Sequence, residues 1–60
     1  MGSYYIIYFY KGNFSLQYHY DDLFNIIDWH ISQDHKRIVP FTDPDEALNY
    51  LNKMQNECNE

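Results

Sequence analysis

Hydrophobic and polar positions fall into five blocks along the chain, divided by turn and cap residues. From Tyr4 to Tyr20 aromatic and β-branched residues dominate, interrupted once at Lys11-Gly12-Asn13. That pattern predicts a β-hairpin: such side chains suit a pleated surface, and Gly and Asn supply the positive φ values of a tight turn. A two- or four-residue turn sets Tyr5, Ile7, Phe9, Phe14, Leu16 and Tyr18 on one face. It sets Tyr4, Ile6, Tyr8 and Tyr10, with Ser15, Gln17 and His19, on the other. A three-residue turn would exchange the faces of the first strand, because side chains alternate with a period of two. With either turn the first strand is apolar on both faces, and such a strand belongs in the middle of a sheet or beneath a partner.

Asp21-Asp22 then opens a stretch with Leu23, Phe24, Ile27 and Ile31 at helical spacing. It predicts a helix of about ten to thirteen residues, its start capped by the paired carboxylates and its end near Gln33 to His35. Ile38 to Phe41 is a short apolar run containing Pro40, which donates no ladder hydrogen bond and marks a short edge strand. In Thr42-Asp43-Pro44-Asp45-Glu46, Asp43 is placed as N-cap, Pro44 as the first helical residue and Glu46 as the third member of a capping box. The helix that follows has Ala47, Leu48, Tyr50, Leu51 and Met54 as its apolar stripe.

The expected fold is α+β, in the order β-β-α-β-α, with strand order 2-1-3 and two helices on one face of the sheet. The helical crossover from second to third strand makes those two parallel and leaves the doubly apolar first strand central. Residues 1–3 form an N-terminal extension, with a cloning remnant as one origin of Gly2-Ser3; 4–54 form a single domain, and 55–60 a polar, frayed tail. The face left open would carry Tyr4, Ile6, Tyr8 and Tyr10. If the helices instead reach both faces, nothing of this kind is exposed.

Composition sharpens the picture. Sixty residues, 45% of them apolar, bury only about 60% of the unfolded chain's surface, against an ordering cost of ~1–2 kcal/mol per residue. A second source of stability is expected. Cys58 has no partner for an internal disulfide, so self-association is the leading candidate. The longest apolar run, Tyr4 to Tyr10, falls well short of the ~20 residues of a membrane span. Without an export signal the expected location is the cytoplasm, the host's if the gene is phage-borne.

Chemistry-bearing residues do not assemble into a catalytic set, and no enzyme is expected. Asp28, His30 and Ser32 stand at i, i+2 and i+4 and do not share a helix face. The two glycines, at 2 and 12, make no phosphate loop. Asp21-Asp22 and Asp45-Glu46 sit where helix N-termini call for carboxylates. His30 and His35 have a spacing seen in some zinc sites, but four ligands are lacking, so no metal or cofactor is expected; the plainer assignment has His30 flanking the helix stripe and His35 in the connection. Nucleic-acid binding is disfavoured by four cationic side chains against nine carboxylates.

What remains is protein binding. The residues expected at a homodimer or partner interface are Tyr4, Ile6, Tyr8, Tyr10, Gln17 and His19, because tyrosine joins an apolar body to a polar tip. An acidic contact surface is expected from Asp21, Asp22, Asp43, Asp45 and Glu46, suited to the basic channel of a nuclease, helicase or glycosylase; ordinary solubility also accounts for a net charge of −5. Residues with A/T-rich codons are abundant, which suggests a low-GC bacterium or its phage. In size, charge and composition, though not in any motif, the chain resembles the small phage-encoded inhibitors of host factors, anti-defence proteins among them. That resemblance implies an inhibitor that blocks a host DNA-handling protein, and the marginal core and doubly apolar first strand make it a homodimer. The alternative is a dimeric accessory subunit of a larger complex.

Overall fold

A computed structural model describes residues 1–58; residues 59 and 60 of the expected tail lie outside the described residues. The order is β1 (Gly2–Tyr10), β2 (Asn13–Asp21), α1 (Leu23–Ser32), β3 (Lys36–Phe41) and α2 (Pro44–Cys58). The three strands form one sheet in the order β2-β1-β3, with β1 antiparallel to both neighbours. The α+β class, the element order and the central position of β1 are as the sequence pattern predicts. β1 begins at Gly2, opposite Asp21, and α2 runs on through residues 55–58, so both ends of the chain carry more regular structure than expected.

The hairpin has the two-residue turn. Tyr10 pairs with Asn13, and Lys11 and Gly12 take φ values of 51° and 85°, the pair of positive values that matches the twist of the flanking strands. This fixes Tyr5, Ile7 and Phe9 on one face with Phe14 and Leu16, and Ile6 and Tyr8 on the other.

The placement of the helices differs from the expectation of two on one face. α2 lays Ala47 on Ile7 and Phe14, with Tyr50, Leu51 and Met54 around them. α1 lies on the opposite side, where His30 meets Tyr8 and His19. Ile6 and Ile7 are consecutive, so their side chains point to opposite faces, and both are completely buried. Each face therefore has its own helix. The cause is β1 itself: two helices on one side would leave Ile6 in water. β3 assists by ending at Phe41, which stands opposite Tyr5 on the α2 face and meets Tyr50 at 5.3 Å, so the chain leaves the sheet on that side.

The helix stripes are rotated from those expected. In α1 the buried residues are Ile26 and His30, while Phe24 is 78% and Ile31 61% exposed; in α2, Leu48 is exposed. The caps differ as well. Asp43 Oδ1 accepts the Asp45 N–H at 3.0 Å, as an N-cap should, but among the described residues Glu46 makes no return bond. Asp22 makes no side-chain cap bond; instead Asp21 Oδ1 accepts the Asp22 N–H at 2.7 Å, since Asp21 is still within β2.

Asp43→Ala should cost about 1 kcal/mol, within the range for a lost N-cap. Asp22→Ala should cost less, removing only a helix-dipole interaction. Urea denaturation of the two variants beside the parent checks the ranking, and equal losses would contradict it.

Candidate functional site

The face under α1 is organised around three histidines. His30, on the inward side of α1, has no exposed surface, and both of its ring nitrogens are engaged. Its Nε2 lies 3.0 Å from His19 Nε2 on β2, and its Nδ1 lies 2.7 Å from His35 Nδ1 in the α1–β3 connection. The connection is held in place by its backbone, with the His35 N–H donating to the His30 carbonyl at 3.0 Å. Aromatic rings wall the cluster. Tyr8 stacks on His35, centroids 4.2 Å apart and 16° from parallel, and Trp29 meets all three imidazoles edge-on at 4.9 to 5.8 Å.

The hydrogen bonding has a definite logic. A neutral imidazole has one N–H and one acceptor nitrogen. Two bonds along three rings are satisfied when every ring is neutral and all donate in the same sense, either from His19 toward His35 or the reverse. The arrangement is a relay with two tautomeric directions. It is not a convergent ligand set: the two contacts use opposite nitrogens of His30, and a single ion binds only one of them. Among the described residues no group of three or more His, Cys, Asp or Glu side chains is arranged to hold a metal.

Burial, reinforced by the charge each neighbouring histidine would carry, pushes His30 down to about 4 from its ordinary 6.5. His19 is also lowered, by burial, with Asp21 acting in the opposite direction. His30 is thus held neutral at physiological pH, with one N–H to donate and one nitrogen to accept, as the relay requires of its middle ring.

The residues proposed for an interface are dispersed by this packing. Ile6 is wholly buried, and Tyr4, Tyr8, Gln17 and His19 are half-buried at the sheet's α1 side. Tyr10 is exposed beside the turn. The large apolar side chains that do face solvent include Phe24 and Ile31 of α1 and Tyr18 and Tyr20 of β2. Asp28, His30 and Ser32 also remain apart: Ser32 Oγ donates to the Trp29 carbonyl at 2.6 Å, while His30 is engaged inside.

The acidic residues, by contrast, are gathered. β2 and β3 are both antiparallel to β1 and so end together, and each is followed directly by a helix. Asp21 and Asp22 at one junction and Asp43, Asp45 and Glu46 at the other therefore share one end of the sheet. Lys11 in the turn and Lys36 and Arg37 at the start of β3 lie at the opposite end, where a recess of about 390 Å³ is lined by Phe9, Tyr10, Lys11, Gly12, Asp34 and Lys36. Lys36 pairs with Asp34 at 2.9 Å. Among the described residues no helix is long and apolar enough to cross a membrane.

No protein-family profile, curated protein or solved structure matches this chain.

The histidine cluster escapes sequence reasoning because its members are spread over β2, α1 and a connection. The available signal was that His19 shares a strand face with Ile6 and Tyr8, and that His30 follows Ile26 by four residues. Because the His30 pKa is lower folded than unfolded, the unfolded chain binds more protons between about pH 4 and 6.5. The stability contribution is present above the unfolded pKa and is lost as pH falls. Acidification from pH 7 to pH 5, above the usual carboxylate range, should cost about 2 kcal/mol. His30→Leu should flatten that slope. Urea midpoints measured across this window test it, and an unchanged slope in the variant would exclude His30 as the source.

Proposed function

We propose that the protein is a non-enzymatic protein-binding module that works as a homodimer and engages a cation-lined surface through its acidic end. The observation that carries this reading is the segregation of charge along the sheet: five of the nine carboxylates collect where both helices begin, and the cations of the turn and of β3 lie away from them. A field divided in this way orients the molecule toward a basic partner before contact and accelerates encounter. DNA-handling enzymes offer such surfaces in the channels that hold phosphates, so a nuclease or helicase is the class of target proposed. The composition, rich in residues with A/T-rich codons, supports a phage or mobile element of a low-GC bacterium as the source, and hence an inhibitor of a host factor.

Capture from a low-GC bacterial lysate, followed by kinetics on the bound protein, tests this. Replacing Asp21, Asp22 and Asp45 together by Asn should slow association more than it speeds dissociation, and binding should weaken as salt rises, because exposed charges are screened beyond ~8 Å at physiological ionic strength. Binding indifferent to both changes would remove the acidic end from the contact. Tight, salt-sensitive binding of an oligonucleotide in an anisotropy titration would overturn the proposal.

A further inference from the structure

The two edges of the sheet are protected to different degrees. β3 carries Pro40, and opposite the Ile7–Phe9 step of β1 it spends one extra residue, with Arg37 at a φ of 52°. Proline, a bulge and charged residues are the devices that prevent a strand edge from recruiting another strand. β2 has neither a proline nor a bulge. It is nine residues long, pairs with β1 without interruption, contains no proline or lysine, and carries a single carboxylate, Asp21, at its last position.

The backbone groups on that free edge can be identified. A two-residue turn closes on a hydrogen-bonded pair, here Tyr10 with Asn13, and bonded and non-bonded pairs then alternate. Odd-numbered residues of β2 therefore bond to β1, and the N–H and C=O groups of Phe14, Leu16, Tyr18 and Tyr20 point outward. Phe14 confirms the parity: its carbonyl accepts the Gln55 side-chain amide at 3.4 Å, a long bond that leaves the second lone pair free. Tyr18 and Tyr20 are 52% and 66% exposed.

We infer that β2 pairs with β2 of a second copy, antiparallel about a two-fold axis through Gln17, to form a continuous six-stranded sheet. This register matches every outward group: Phe14 faces Tyr20 of the second copy, and Leu16 faces Tyr18. Phe14–Tyr20 is an aromatic cross-strand pair of the kind that stabilises sheets, and Leu16–Tyr18 sets a ring against an aliphatic side chain, both on the α2 face. Charge agrees with the pairing. Because the strands run in opposite directions, the Asp21-Asp22 end of each copy lies beside the Lys11 turn of the other, while Asp43, Asp45 and Glu46, which follow β3 on the far edge, stay clear of it, and two acidic molecules meet with their like-charged ends apart. The interface rests on the homodimeric part of the function proposed above and specifies its surface.

The test is a symmetric cross-link in a Cys58→Ser background. The two Gln17 residues form a non-hydrogen-bonded pair, with Cα atoms ~4.5 Å apart, within disulfide range. Gln17→Cys should therefore give a covalent dimer on mild oxidation, while Asn52→Cys on the exposed side of α2 should not. In sedimentation the parent should run as a dimer at micromolar concentration, and Gln17→Lys, which sets two ammonium groups against each other, should weaken association at least tenfold. Should Gln17→Lys fail to fold, the cross-link alone decides. A parent dimer that neither cross-links at this position nor responds to Gln17→Lys overturns the edge pairing and leaves a homodimer through another surface. A monomer at 100-fold higher concentration overturns both the edge pairing and the homodimer, whereas target capture by the acidic end is read in the separate lysate experiment.

Discussion

The structure depends on a central strand that is apolar on both sides. Ile6 and Ile7 are adjacent, point in opposite directions and are both fully buried, so neither face of β1 tolerates solvent. A chain of this length supplies one helix for each face. Everything else accommodates that requirement: the crossover helix α1 takes one side, β3 ends with Phe41 turned to the other, and α2 follows it there. The result is three thin layers, with little residue-to-residue redundancy. The loss of either helix exposes half of the only strand that both neighbours pair with.

The α1 layer meets its obligation with polar material. Where a second isoleucine would be expected beneath the helix, His30 is buried with both nitrogens bonded. A buried polar group is tolerated only when its partners are in place, so the relay specifies how α1 sits: sliding the helix by a turn would break two hydrogen bonds and strand three imidazoles. Specificity of docking is thereby coupled to protonation. With a proton on both outer rings, His19 and His35 each present only donors, and neutral His30 has one acceptor to offer the two. Acid thus acts on the contact that holds α1 against the sheet, and the histidines that define the native arrangement also limit the pH at which it persists.

Much of the fold was legible in the sequence because it rests on local signals. The hairpin follows from Lys11-Gly12, the edge position of β3 from Pro40, and the start of α2 from Asp43-Pro44. The strand order follows from the doubly apolar Tyr4–Tyr10 run. What was not legible depends on comparing surfaces that only the folded chain brings together. An apolar count along α1 selects Phe24 and Ile31 and passes over His30, since a histidine earns an inward position only from His19 and His35, distant in sequence. The one-sided arrangement of helices failed for a related reason: it treated the Ile6 face as an interface held in reserve, when the same pattern serves equally well as a second half of the core. Of the expected site residues, the acidic set is gathered by the parallel run of β2 and β3, while the tyrosine set is divided between the α1 contact and the surface.

That division changes what a partner can read. With the Ile6 face closed, the remaining adhesive features are the bare edge of β2, the exposed aromatic side chains and the charge separation along the strands. These are geometrically linked. An edge is directional, and two edges of the same strand pair antiparallel about a two-fold axis. Any dimer built on β2 must therefore send its two acidic ends in opposite directions along the extended sheet. Such a dimer is bivalent toward a basic target, with sites too far apart to fill one pocket together. Engagement of one extended or repeated basic surface would then gain from effective concentration, whereas a compact target with a single basic channel would be held by one end alone. In such a dimer the spacing of the acidic ends, set by the length of β2, would select among partners in addition to the charge proposed to attract them.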